Sequence, residues 1–168
     1  MSASTHLNIN FVIEGGHKLS GEITTNTSKN AAVVLLCASL LNKNKTVLKN
    51  VPKIEEVNRI IEVLKSLEIM VKRIGADIEI KPPSKINLKN IDKTAAEKTR
   101  SVILLIGSLV HLLPKFQIPQ AGGCKLGERT VRPHFFALEK FGVNIEALSS
   151  SYQVTNKKLK KAKVVLYE

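Results

Sequence analysis

Ala31-Ala32-Val33-Val34-Leu35-Leu36-Cys37-Ala38-Ser39-Leu40-Leu41 is the longest apolar run in the chain, interrupted only by Ser39. A membrane-spanning helix needs ~20 such residues, so the run is read as a helix buried in protein. Thr27 or Ser28 can cap it, with the helix running from Lys29 to Leu41, and Asn42 to Asn44 end it. A short strand at Thr46–Lys49 follows. Pro52 then opens a second helix, whose apolar positions Ile54, Val57, Ile60, Ile61, Leu64 and Leu67 recur at three and four residues. Strands at Met70–Ile74 and Asp77–Lys81 close the unit. Upstream, Leu7–Ile13 alternates and is followed by Glu14-Gly15-Gly16, so a hairpin with Lys18–Thr24 is expected.

After Pro82-Pro83 the order of elements repeats: a helix from about Thr94 to Leu113, a strand at Lys115–Pro119, a helix around Val131–Phe141, and strands near Val143 and Tyr152. Ala38-Ser39-Leu40 aligns on Gly107-Ser108-Leu109 at an offset of 69 residues, and Leu64-Lys65-Ser66-Leu67 on Leu138-Glu139-Lys140-Phe141 at 74. The second copy therefore carries 74 − 69 = 5 extra residues between its two helices, where Gly122-Gly123-Cys124-Lys125-Leu126-Gly127-Glu128-Arg129 lies. A repeated scaffold supplies stability and leaves the lengthened loop free for function. Lys163–Glu168 reads as the opening strand of a third copy. An α/β (α+β) chain of about two β/α units is expected.

The formal charge of +12 and pI near 9.8 favour anionic partners, although Lys157, Lys158, Lys160, Lys161 and Lys163 account for part of the charge in one solvated stretch. Aromatic residues are 4% of the chain and Trp is absent, which argues against a single-strand nucleic-acid platform built on stacking. Cys37 lies in an apolar run and Cys124 in a glycine-rich loop, so they do not form a disulfide framework. Met1–Asn10 lacks a basic region followed by an apolar stretch, and a cytoplasmic location is expected.

Seven positions draw attention chemically. Cys124 sits among glycines with Lys125 and Arg129 nearby, which suits an activated thiol as well as an incidental loop cysteine. Lys29 and Asn30 occupy the first turn of an apolar helix, a place that attracts anions and is also an ordinary solvated helix start. Arg100 is the last charge before Val102-Ile103-Leu104-Leu105-Ile106; it could hold a carboxylate or phosphate, or pair with Glu97. Arg129, Arg132 and His134 could form a cationic wall beside the loop, with His134 equally a satisfied helix-start histidine. His6, His17 and His111 have no partners at metal-ligand spacing, so no metal site is proposed.

Taken in order, Gly21-Glu22, Ser28-Lys29-Asn30-Ala31-Ala32, Leu48-Lys49-Asn50-Val51-Pro52, Lys98-Thr99-Arg100-Ser101 and Ala121-Gly122-Gly123-Cys124-Lys125-Leu126-Gly127-Glu128-Arg129 resemble the enolpyruvyl transferases of the UDP-N-acetylglucosamine 1-carboxyvinyltransferase type. The resemblance covers nearly the whole chain. It implies transfer of an enolpyruvyl group from phosphoenolpyruvate to the 3-hydroxyl of UDP-N-acetylglucosamine, the committed step of peptidoglycan synthesis, without a metal or organic cofactor. By the same resemblance Cys124 would be a general acid, and Lys29, Arg100 and Arg129 would hold the phosphate and carboxylate of phosphoenolpyruvate. Asn30 would contact the sugar, and His134 would line the site.

The implied fold is an inverse α/β barrel with helices inside and sheets outside, of which residues 26–168 would form an incomplete domain. Residues 1–25, the expected hairpin, would belong partly to a second domain. The family enzyme is well over twice this length, so the chain is expected to be a fragment, inactive alone, whose partner is the remainder of the enzyme. Where the family has Pro-Val-Asp-Leu-His after the loop arginine, this chain has Thr130-Val131-Arg132-Pro133-His134, which replaces a nucleotide-contacting carboxylate with a cation. Two other classes stay open: a stand-alone anion- or nucleotide-binding module, and a basic nucleic-acid-binding domain. A coding sequence continuing past Glu168 would separate fragment from module, and salt-sensitive affinity for DNA or RNA would mark the third.

Overall fold

The computed structural model describes residues 12–120, 122, 130–156 and 158–166. Helix α1 (Lys29–Ala38) begins where the Ser28 hydroxyl accepts the Ala31 N–H, and it tightens into a 3-10 turn at Ser39–Leu41. Strand β1 (Thr46–Leu48) leads to α2 (Glu55–Ser66), which starts three residues after Pro52 and carries Glu55 and Glu56 in its first turn. Acidic side chains there complement the helix dipole. Strands β2 (Met70–Ile74) and β3 (Asp77–Lys81) form an antiparallel hairpin, and β1 pairs antiparallel with β3, giving the order β1-β3-β2.

The second unit repeats this plan. Helix α3 (Lys93–Glu97), a 3-10 turn (Arg100–Leu104) and α4 (Leu105–Leu109) lead into β4 (Lys115–Pro119), α5 (Arg132–Lys140), β5 (Val143–Ala147) and β6 (Ser151–Asn156). The sheet order β4-β6-β5 matches that of the first unit. Strands β1 and β4 start 69 residues apart at Thr46 and Lys115, whereas β3 and β6 start 74 apart at Asp77 and Ser151. The sequence offsets are thus carried by the strands themselves.

The ends of α2 and α5 show the repeat at single-residue scale. Glu68, at φ 62°, donates to the Lys65 carbonyl while Ile69 donates to Leu64, so a left-handed residue closes the helix. Gly142, 74 residues on and at φ 92°, donates in the same way to Glu139. One copy uses glycine for this conformation and the other forces glutamate into it.

One core joins the units, with Leu36, Ile60, Leu64, Ile78 and Ile80 of the first and Leu105, Ile106, Leu109, Ile118 and Val154 of the second fully or almost fully buried. Helices line the interior and each sheet presents one face to it, as Ile78 and Ile80 alternate with the half-buried Asp77 and Glu79. Between units, α1 packs on α4 and on the Arg100–Leu104 turn, and α2 packs on α3.

Four expectations need correction. Residues 12–28 form no strand and 12–27 are exposed throughout, so the Lys18–Thr24 arm of the expected hairpin is not made; residues 7–11 lie outside the described residues. An alternating segment needs a neighbouring strand to hold it, and none among the described residues pairs with this one. The single helix expected over 94–113 breaks at Thr99, which turns to an extended φ of −133° and caps the following turn through its hydroxyl to Ser101 N–H at 3.1 Å. Residues 158–166 form no strand. Nor is α1 enclosed all round: Val34 and Leu35 are 49% and 50% exposed.

Candidate functional site

Glu56, in the first turn of α2, gathers side chains from two other elements. One carboxylate oxygen, Oε2, receives the Lys29 ammonium from the start of α1. The other, Oε1, accepts the hydroxyls of Ser101 at 2.5 Å and Thr99 at 3.3 Å. Burial raises the carboxyl's proton affinity, but the hydrogen bonds from Lys29, Ser101 and Thr99 and the charge of Lys29 outweigh it and hold Glu56 below the usual glutamate range. The carboxylate is charged at neutral pH.

Arg100 stands between the two hydroxyl-bearing residues. Its guanidinium does not meet Glu97; it reaches forward and donates from Nη2 to the Thr130 carbonyl at 2.6 Å. That carbonyl ends the loop begun at Gly122, so the arginine ties the Thr99–Ser101 turn to the loop's far side. At the near side, a Cβ on Gly122 would lie 1.4 Å from the Glu97 carbonyl oxygen, so only glycine is admitted. One end of the lengthened loop is thus bonded to Arg100 and the other packs closely against Glu97.

Of the sequence candidates, Lys29 is joined through Glu56 to Thr99 and Ser101, the neighbours of Arg100, while the Arg100 side chain itself turns to the Thr130 carbonyl. Asn30 is exposed beside Lys29. His134 is exposed on the first turn of α5, and among the described residues no hydrogen bond or ion pair links it to Lys29 or Arg100. Cys124 and Arg129 lie outside the described residues. Cys37, by contrast, is buried, and burial pushes its thiol up to about 12. No group of three or more His, Cys, Asp or Glu among the described residues is arranged to hold a metal ion.

Sequence reasoning missed Glu56. It sits beside Glu55 in a helix start, where carboxylates are ordinary, and its partners lie 27, 43 and 45 residues away. The only local hint was that Thr99 and Ser101 bracket Arg100 with hydroxyls.

The sequence profile described as EPSP synthase (3-phosphoshikimate 1-carboxyvinyltransferase) matches residues 13–167. The chain belongs to the EPSP synthase family. Among its curated relatives, the UDP-N-acetylglucosamine 1-carboxyvinyltransferase of Campylobacter lari is 36% identical over 156 residues, which cover 89% of this chain and 35% of the relative. A Carboxydothermus hydrogenoformans protein, UDP-N-acetylglucosamine 1-carboxyvinyltransferase 1, is 35% identical over 93% of this chain and 37% of its own length. This EPSP synthase family member thus spans about a third of the length of those relatives. Among solved structures, the enolpyruvyl transferase NikO from Streptomyces tendae superposes with a TM-score of 0.66 at 16% identity, over 86% of this chain and 32% of that one. An EPSP synthase from Acinetobacter baumannii gives 0.55 at 14%, over 83% and 33%. The fold is that of the enolpyruvyl transferases, and among the described residues no helix is long and apolar enough to cross a membrane.

Proposed function

We propose that this chain supplies the phosphoenolpyruvate-binding half of a cytoplasmic enolpyruvyl transferase acting on UDP-N-acetylglucosamine, and that it completes no turnover alone. The observation that carries the reading is the Glu56 bridge that joins Lys29 of α1 to the Thr99–Ser101 turn bearing Arg100, whose guanidinium holds the Thr130 carbonyl at the end of the lengthened loop. Two cations of different geometry suit a small dianion or trianion: the ammonium acts as a point charge, and the guanidinium as a planar fork. Arg129 would add a third cation, and Cys124 would protonate the methylene carbon of phosphoenolpyruvate. Asn30 would contact the sugar, and His134 would line the site beside the loop.

Enolpyruvyl transfer requires the acceptor hydroxyl to lose its proton while the methylene carbon gains one, inside a water-excluding cleft. Among the described residues the cluster offers no uncommitted base, because Glu56 already accepts three donors. The reading is tested by phosphate release from phosphoenolpyruvate, with and without UDP-N-acetylglucosamine, alongside a phosphoenolpyruvate titration followed by NMR. The 168-residue chain should release no phosphate yet bind phosphoenolpyruvate, and Lys29→Ala should abolish that binding. Turnover that needs both substrates and is lost in Cys124→Ala would overturn the half-site reading. Absent binding, or binding indifferent to Lys29→Ala, would overturn the site.

A further inference from the structure

A carboxylate paired with a cation that is to receive an anion is at first sight counterproductive, since a like charge a few ångströms from the ligand weakens its binding. The geometry of Glu56 shows what offsets that cost. Its two oxygens face different elements, Oε2 toward Lys29 of α1 and Oε1 toward Ser101 and Thr99 on either side of Arg100. Thr99 is 2% exposed, and its hydroxyl also receives the Ser101 N–H, so the turn has little freedom once Glu56 holds it. Lys29 has a 41% exposed side chain with four rotatable carbons, and among the described residues Glu56 is its one ion-pair partner.

We propose that Glu56 is a positioning residue that sets the spacing between Lys29 and Arg100. This deepens the phosphoenolpyruvate reading and rests on it for the identity of the ligand. The carboxylate does not touch the substrate; it holds α1 and the Thr99–Ser101 turn in one frame, so the ammonium and the guanidinium meet an anion without first being ordered. Fixing rotamer-rich side chains before binding spares the ligand that entropy. Ser101 and Thr99 transmit the constraint to Arg100, and Thr130 receives its guanidinium.

Charge and positioning predict opposite signs. If Glu56 acted only through its charge, Glu56→Ala would tighten phosphoenolpyruvate binding to the 168-residue chain. As a positioning residue, its loss weakens binding about tenfold, comparable to the loss of one well-placed charge-assisted bond. Glu56→Asp keeps the charge but is one methylene shorter, so it cannot span from Lys29 to Ser101 and weakens binding as well. Glu56→Gln keeps an oxygen for Ser101 and loses the ammonium.

The second readout needs no ligand: side-chain NMR relaxation of Lys29 Nζ and Arg100 Nε. Glu56→Gln should mobilise Lys29 alone, Ser101→Ala Arg100 alone, and Glu56→Ala both. Equal or tighter binding by a natively folded Glu56→Ala, or unchanged order at both cations in that variant, overturns the proposal. A wild-type chain that fails to bind phosphoenolpyruvate refutes the substrate reading, and the relaxation pattern then decides the positioning role by itself.

Discussion

The hydroxyl of Ser108 in α4 donates to the carbonyl of Cys37 in α1 at 2.6 Å, in a part of the core where both residues are buried. Its counterpart in the first unit, Ser39, turns the same hydroxyl back onto its own helix, to Leu36 at 2.7 Å. Equivalent serines thus do different work: one relieves a helix end, and the other joins the two units.

Ser108→Ala should therefore destabilise the chain. The Cys37 carbonyl also receives the Ser39 N–H, so it is not orphaned, and the loss should be about 1 kcal/mol. Thermal unfolding should report a midpoint lower by roughly 2–4 °C. Ser39→Ala, which breaks no contact between units, should cost less.

The paired helix ends give a test of opposite sign. Glu68 carries a side chain in a left-handed conformation, whereas a Cβ at Gly142 would in addition lie 2.9 Å from the Lys158 carbonyl oxygen. Gly142→Ala should cost about 1–3 kcal/mol. Glu68→Gly should gain about 0.5 kcal/mol, the relief of strain being partly offset by a freer unfolded chain. Urea midpoints of the two variants should move in opposite directions.

Cys37 keeps its proton until about pH 12 in the folded chain, against an ordinary value of 9.0. A raised pKa in the folded state contributes stability that is present below pH 9 and is lost as pH rises toward 12. At pH 8 an alkylating reagent should modify Cys124 and spare Cys37, with both reacting after denaturation. Equal native rates would remove the case for an activated loop thiol.

Acid should act through carboxylates held in pairs. Glu56 is below its ordinary 4.5, and Asp77 is below 3.8 because it accepts from Lys49 at 2.6 Å and from the Asn50 N–H at 3.0 Å. Depressed values contribute stability that is present above the unfolded constants and is lost as pH falls through the folded ones. The melting temperature should decline below about pH 4.5, and Glu56→Gln should flatten that decline.

Strands 70–74, 77–81 and 115–119 were legible because alternating apolar positions and flanking turns specify a strand locally. The break at Thr99 was not, since Val102 to Leu113 reads as one apolar helix and only tertiary contacts with Glu56 reveal why the chain turns first. Lys29 and Arg100 could be singled out by their isolation at the edges of apolar stretches. Glu56 could not, because its meaning lies wholly in residues more than 25 positions away.

The two sheets share no strand. Each is closed by pairing its first strand with its last, Thr46 with Ile80 and Lys115 with Thr155. The first unit can therefore complete its sheet while the second is still being synthesised, and only the helical seam waits for the whole chain. Loop closures of this modest span favour quick, sequential folding over a late search for distant strand partners. The slowest step in refolding should be the docking of α4 against α1.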